Sequence, residues 1–256
     1  MVPLGQEPLG AIPFAFPGLD RVSCVFTTRR GGASLPPFDA ANLSFDVGDQ
    51  PESVAENRRA LAARLGLAAW CECRQVHGDA LHIEPAATPI DAPATCEGDA
   101  LATSAPGCAL AVKTADCQPV LLAHESGRFV AALHVGWRGN VLNLPGSAVA
   151  RLSAHYDCAP SELYAVRGPS LGPEAAQFTN FEAEFGASFR EFFDPETQTV
   201  DLWRLTRRQL EQAGLRPERI FGLNLCTRTR AQDFFSFRAA RTTGRQVGLI
   251  WINRPR

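Results

Sequence analysis

Three side chains able to bind a metal stand where apolar segments break off: His77 in Gln75-Val76-His77-Gly78, Cys117 in Thr114-Ala115-Asp116-Cys117, and His134 in His134-Val135-Gly136-Trp137-Arg138-Gly139. Two neutral imidazoles and one thiolate hold a tetrahedral zinc ion and leave its fourth position open, as a catalytic site requires. The three match no compact ligand signature, so each also has a plainer reading. Cys117 reads as a small buried hydrophobe, His134 as a core histidine bonded to backbone, and His77 as a loop residue beside Gly78. Cys71, Cys73 and His77 form a rival trio, although Cys-x-Cys fits zinc knuckles poorly and no fourth ligand follows at knuckle spacing. A metal-free chemistry is open as well, with Cys117 as nucleophile and His134 or His77 as its base.

Phosphate chemistry needs cations, and Arg29, Arg58, Arg138 and Arg238 are the candidates. Arg138 suits this best, since Gly136 and Gly139 permit close approach of a ligand. Arg29 precedes Gly31-Gly32, where a solvated turn is the plainer reading. Arg58 sits mid-helix, either solvated or reaching with Asn57 into a pocket. Asp99 and Asp116 either orient an imidazole or shape strand ends. No glycine-rich dinucleotide or P-loop fingerprint follows a strand, and the His-x-Glu and Pro-Cys-x-x-Cys signature of zinc deaminases is absent.

These residues need strands and helices to bring them together. Apolar runs at 108–112, 119–123 and 129–135 predict central strands, joined by 21–28, 163–166, 220–225 and 246–252. Residues 51–65 predict a helix, with Pro51 at its first position, Glu52 and Glu56 near its positive end, and Gly66 closing it. Further helices are expected at 141–156, 181–193 and 202–213, the last capped by Asp201 and stopped by Gly214. In the 141–156 helix Leu142, Leu144, Val149 and Leu152 are expected to face inward. The 85–93 segment is a proline-rich connector. Strands and helices do not alternate regularly enough for a doubly wound sheet.

At 256 residues, with 45% hydrophobic and 20% charged residues, the chain has the makeup of an ordinary globular protein, expected as one domain over 1–256. A formal charge of −2 argues against a non-specific grip on nucleic acid or anionic lipid. No run is long enough to span a bilayer. The start, 1–17, is apolar but broken by Pro3, Pro8, Pro13 and Pro17, and it lacks the pattern of a secretory signal. Eight scattered cysteines in a chain this large read as reduced thiols, so the expected location is the cytoplasm.

Taken in order, the chain resembles the YfiH family, also called the laccase-domain or multicopper polyphenol oxidase family, which includes peptidoglycan editing factor and purine nucleoside phosphorylase-type enzymes. The resemblance runs along Thr27-Thr28-Arg29 with Gly31-Gly32, Asn42-Leu43-Ser44, Val47-Gly48-Asp49 and Asn57-Arg58. It continues through Gln75-Val76-His77-Gly78, Gly98-Asp99-Ala100, Thr114-Ala115-Asp116-Cys117, His134 to Gly139, Gly168-Pro169-Ser170-Leu171-Gly172, Cys226-Thr227 and Phe234-Phe235-Ser236-Phe237-Arg238. Where many members carry a cysteine after the Gly-Pro-x-x-Gly loop, this chain has Pro173-Glu174-Ala175. The resemblance implies an α+β fold of packed mixed sheets flanked by helices, with His77, Cys117 and His134 as ligands of zinc, or of copper as the other metal. Cys117, His77, His134 and Arg138 are then the expected catalytic residues, and Arg29, Asn42, Arg58, Arg138 and Arg238 the expected substrate-binding ones. The implied activities are phosphorolysis of adenosine, inosine and 5′-methylthioadenosine, and deamination of adenosine. The alternatives are a cysteine hydrolase or amidase acting on a peptidoglycan precursor, and a copper polyphenol oxidase, for which five histidines are few.

Overall fold

The computed structural model describes residues 8–254, so residues 1–7 of the segment read for a secretory signal lie outside it. In chain order the strands are β1 (Ala11–Phe14), β2 (Val22–Thr27), β3 (Ala69–Cys71), β4 (Leu81–Ile83), β5 (Ala100–Thr103), β6 (Cys108–Thr114) and β7 (Gln118–His124). They continue with β8 (Val130–Val135), β9 (Leu163–Arg167), β10 (Phe193–Asp194), β11 (Thr199–Val200), β12 (Ile220–Gly222) and β13 (Gln246–Ile252). One sheet runs β1-β2-β13-β6-β3, the other β12-β9-β7-β8-β5-β4, and β10 and β11 form a separate hairpin. The large sheets are antiparallel except at the edges, where β3, β4 and β12 pair in parallel with β6, β5 and β9.

β6, β7, β8 and β13 are buried along their whole length, which is why their sequences read as unbroken apolar runs rather than alternating ones. Alternate residues still separate by face. Phe26, Leu110, Val112 and Ile250 from the first sheet meet Leu101, Leu121, Val130 and Val166 from the second. Each such large side chain contributes about 1.5–3 kcal/mol relative to exposure.

Helices cover the outer faces. The predicted 51–65 helix forms as α1 (Pro51–Leu65), stopped by Gly66 at φ 66°, and its Leu61 and Ala62 pack on Val25, Ala111 and Leu249. The single helix expected at 141–156 is instead α2 (Trp137–Val141) and α3 (Leu144–Tyr156). Asn143 breaks them at φ 55° and Pro145 restarts the chain, leaving Leu142 half exposed rather than inward-facing. The 181–193 helix also breaks: α4 (Phe181–Glu184) stops before Gly186, at φ 83°, and a 3-10 turn follows. α5 (Leu202–Gln212) forms as expected, with Asp201 accepting from the Arg204 N–H. Among the described residues no helix is long and apolar enough to cross a membrane.

Three expected substrate-binding residues turn out to stitch loops. Arg58 is fully buried, donates to the Leu43 carbonyl and forms a two-pronged pair with Glu72 at 2.8 and 3.0 Å. Neighbouring Asn57 donates to Ser34, Ala40 and Asn42, so the Asn-Arg pair reaches into a loop cluster and not into a cleft. Asn42, also fully buried, donates to Asp49 and accepts from the backbone N–H groups of Ser44 and Arg245. Arg29 donates to the carbonyls of Asp39 and Ala231 and lies 4.9 Å over the Phe235 ring.

Arg58→Ala is therefore expected to act on stability. Breaking a buried pair costs about 3–5 kcal/mol, and the nearby Lys113 ammonium, 3.3 Å from Glu72, puts this case at the lower end. Urea unfolding should show the loss while ligand affinity of the folded fraction stays unchanged; a large affinity change at unaltered stability would return Arg58 to the binding site.

Candidate functional site

The site is assembled where strands of the second sheet end. Antiparallel pairing of β7 with β8 sets Gln118 opposite Val135 and Pro119 opposite His134, so Cys117, one residue before β7, arrives beside Gly136. β5 pairs with the other side of β8 and brings Asp99 level with His134, whose N–H donates to the Asp99 carbonyl at 2.7 Å. Of the two readings open for Asp99, orienting an imidazole or shaping a strand end, the structure supports the first, and its carboxylate gathers the site. One oxygen accepts from the His77 N–H at 3.0 Å and lies 2.7 Å from His134 Nδ1; the other accepts from the N–H groups of Val76 and Gly78 at 3.2 and 2.7 Å. His77 itself sits at φ 60°, a conformation costly outside glycine that these bonds hold in place.

The ligating atoms of His77, Cys117 and His134 consequently lie within 4.8 Å of one another. Cys117 Sγ is 3.7 Å from His77 Nε2, and the two imidazole rings meet edge to face at 4.9 Å. Because a carboxylate only accepts, the Asp99 contact fixes a proton on His134 Nδ1 and turns Nε2 toward the cluster. Gly136 keeps the space open: a Cβ there would stand 3.0 Å from both Cys117 Sγ and His77 Cδ2. The rival Cys71, Cys73, His77 trio does not form, since Cys71 Sγ contacts Cys108 Sγ at 3.0 Å and Cys73 Sγ contacts Cys96 Sγ at 3.5 Å.

Charge couples the group tightly. Burial alone would raise the Cys117 thiol, but His134 and His77 outweigh it and bring the thiol down to about 6. Burial would lower His134, but the Cys117 thiolate and the Asp99 carboxylate outweigh it and raise the imidazole to about 9. Asp99, which burial would raise, is held below its ordinary value by His134 and the loop N–H groups. Between those limits the metal-free protein carries a thiolate beside an imidazolium.

Alkylation reads this directly. In chelator-treated protein the iodoacetamide rate at Cys117 should rise with pH around a midpoint near 6, against about 8.5 for a free cysteine. A midpoint above 8 would mean the two imidazoles do not face the sulfur.

A cleft of about 660 Å3 opens over the cluster, lined by Arg138, Arg238, Arg241 and Arg245 among others. Arg138 is exposed, stacks 4.1 Å over the Trp137 ring and has no carboxylate partner among the described residues. Arg238 donates to the Gln177 carbonyl at 2.7 Å and lies over Phe178. Asp116, at φ 97°, orients no imidazole; it accepts from the Arg238 N–H and the Thr227 hydroxyl, each at 2.7 Å, and so holds the cationic loop over the cleft. Of the expected binding residues, Arg138 and Arg238 reach the cleft, while Arg29, Asn42 and Arg58 do not line it. Arg241 and Arg245 escaped the sequence reading. Arg245 donates to the carbonyls of Thr243 and Gly244 just before β13, and no longer motif around it signals a binding role.

Comparison with known proteins fits this architecture. Residues 23–253 match the family described as multi-copper polyphenol oxidoreductase laccase, a description that implies a bound metal. The purine nucleoside phosphorylase YfiH of Escherichia coli is 37% identical over 245 residues, covering 90% of this chain and 94% of that protein. A purine nucleoside phosphorylase of Pseudomonas aeruginosa is 34% identical over 250 residues, covering 93% and 96%. The crystal structure of YlmD from Geobacillus stearothermophilus superposes with a TM-score of 0.85 at 29% identity, covering 97% of this chain and 98% of that one.

Proposed function

The chain belongs to the multi-copper polyphenol oxidoreductase laccase family, and from that membership we propose that it is a zinc-dependent purine nucleoside phosphorylase acting on adenosine, inosine and 5′-methylthioadenosine. The observation that carries this reading is the convergence of His77, Cys117 and His134 beneath a cleft rimmed by arginines. Relatives named purine nucleoside phosphorylase, aligned over most of the chain, support it. The donor set suits zinc: one thiolate, two imidazoles, a second-layer carboxylate and space above Gly136. Among the described residues no cluster of possible ligands holds more than two histidines, which is poor provision for several coppers. Bound there, zinc would supply a Lewis acid at the cleft floor.

The chain's own groups do the remaining work. Arg138 and Arg238, with Arg241 and Arg245, offset the charge of inorganic phosphate and aim an oxygen at C1′ of the nucleoside. Phosphate attack there forms the new C1′–O bond as the C1′–N9 bond breaks, releasing ribose 1-phosphate and the base. Phe237, exposed where it lines the cleft, offers an apolar ring surface for the purine. Asp99 keeps the proton on His134 Nδ1, so Nε2 is the nitrogen that would release its proton to solvent and offer its lone pair to a metal. The thiols, all free among the described residues, suit a reducing cytoplasm.

The test is a product assay on adenosine with and without phosphate. Adenine and ribose 1-phosphate, formed only with phosphate, are expected; inosine formed without phosphate would make the same site a deaminase. Neither product from zinc-loaded protein would overturn the nucleoside reading. Arg138→Ala should raise the phosphate KM about 10–100-fold, the loss of one charge-assisted contact, with the nucleoside KM changed less than about twofold.

The lowered thiol of Cys117 favours one second reading, a thiol hydrolase or amidase acting on a peptidoglycan precursor. Such an enzyme loses activity on alkylation and is indifferent to chelators. Zinc dependence reverses the second result.

A further inference from the structure

The two segments that place His77 and Asp99 carry another set of metal-binding side chains. Cys73 lies four residues before His77, and Cys96 three before Asp99. Their sulfurs are 3.5 Å apart, and a ring nitrogen of His82 completes a trio whose ligating atoms all lie within 4.8 Å of one another. Two thiolates on one tetrahedral zinc stand about 3.8 Å apart when each Zn–S bond is about 2.3 Å. The observed spacing is already close to that.

The surroundings hold this arrangement. The Arg74 N–H donates to the Cys96 carbonyl at 2.8 Å and the Gly98 N–H to the Arg74 carbonyl at 3.2 Å, so the strips bearing the two cysteines are laced side by side. His82 Nε2 lies 2.7 Å from the Glu97 carbonyl, which only accepts; Nε2 therefore carries the proton and Nδ1 keeps its lone pair. A Cβ at Gly98 would come within 2.7 Å of the His82 ring, so the missing side chain lets the imidazole lie against the backbone. Cys73 is buried, whereas Cys96 and His82 are half-buried, giving an ion access from solvent. The other trio outside the cleft, His124, Cys158 and Glu162, offers one thiol, and the Ser126 N–H donates to His124 Nδ1, so the ring proton sits on Nε2, the nitrogen that faces Glu162.

We propose that Cys73, Cys96 and His82 form a second metal site, for zinc or a similarly thiophilic cation, with water in the fourth position. As the metal–sulfur bonds form, each thiol passes its proton to solvent. The bound ion clamps the 73–77 strip to the 96–99 strip, and thereby steadies the loop that presents His77 and the carboxylate that orients His134. This site stands independently of the nucleoside reading.

The test uses the full chain, reduced, loaded with zinc and desalted, with metal measured per chain. Cys117→Ser removes the cleft thiolate, so metal kept by that variant reports on the second site alone. It should retain about one equivalent, and adding Cys96→Ser or His82→Gln should weaken zinc binding at least tenfold. Cobalt loaded into Cys117→Ser should show a thiolate charge-transfer band that disappears with Cys96→Ser. Should the double variants fold poorly, wild-type protein serves: zinc should slow alkylation of Cys96, mapped by peptide mass, at least tenfold. No zinc retained by folded Cys117→Ser, equal retention after Cys96 and His82 are replaced, unprotected Cys96, or a Cys73–Cys96 disulfide in the reduced zinc-loaded protein would each overturn the proposal.

Discussion

Cys117→Ser and His134→Ala should each release the cleft metal and lower kcat/KM for the nucleoside by on the order of a thousandfold or more, with the fold intact. The size follows from the several kcal/mol a metal Lewis acid supplies at the reacting centre, at about 1.4 kcal/mol per decade of rate. The fold survives because the cluster lies at the ends of β7 and β8 and not among the large side chains packed between the sheets. Cys117 is half-buried at the cleft, and serine occupies nearly the same volume while giving up the soft sulfur donor. Zinc analysis, far-ultraviolet circular dichroism and a phosphorolysis assay on each variant check the three parts. Full activity in a folded His134→Ala that has lost the cleft metal would detach the chemistry from the cluster.

Asp99→Asn should weaken metal binding about 10–100-fold, the usual cost of losing a partner that orients a ligand imidazole. The carboxylate satisfies two donors on each oxygen: His77 N–H and His134 Nδ1 on one, Val76 N–H and Gly78 N–H on the other. An amide turned either way presents its NH2 group to one of those donor pairs. It leaves them facing hydrogens, at about 1–3 kcal/mol for each buried group unsatisfied. The loop at Val76 to Gly78 then loses its anchor, and His77, at φ 60°, loses the bonds that hold it there. Competition against a calibrated chelator measures the affinity; unchanged affinity in Asp99→Asn would show that the tripod assembles without this hub.

Much of the scaffold was legible because its signals are local. Pro51 and Gly66 bracket α1, Asp201 caps α5, and buried strands such as β6, β7 and β13 announce themselves as short β-rich apolar runs. The misses follow from signals that tertiary structure overrides. β1 carries Pro13 and survives only at a sheet edge, where a missing N–H is tolerated. Residues 181–193 read as one helix, but Gly186 breaks it, and Phe181, Phe185 and Phe192 pack into a separate cluster. In the site, residue types put His77, Cys117 and His134 forward as possible ligands beside plainer readings as core and loop residues, and the family resemblance singled them out. Arginine carries no such information: Arg58 and Arg29 tie loops, while Arg245, 187 residues beyond Arg58, rims the cleft. Only the pairing of distant strands decides which arginine does which.

Cleft composition sets the reading of substrate in the same way. Four arginines beside aromatic rings suit an anion and a flat base together, and that combination favours a nucleoside with phosphate over a phenol.

The central claim is that His77, Cys117 and His134 share one ion. Anomalous diffraction collected on either side of the zinc absorption edge, from crystals grown with stoichiometric zinc, locates the metal without reference to activity. The expected map has a peak about 2.0–2.1 Å from a nitrogen of each histidine and about 2.3 Å from the Cys117 sulfur; well-ordered side chains with no anomalous peak between them would contradict the account.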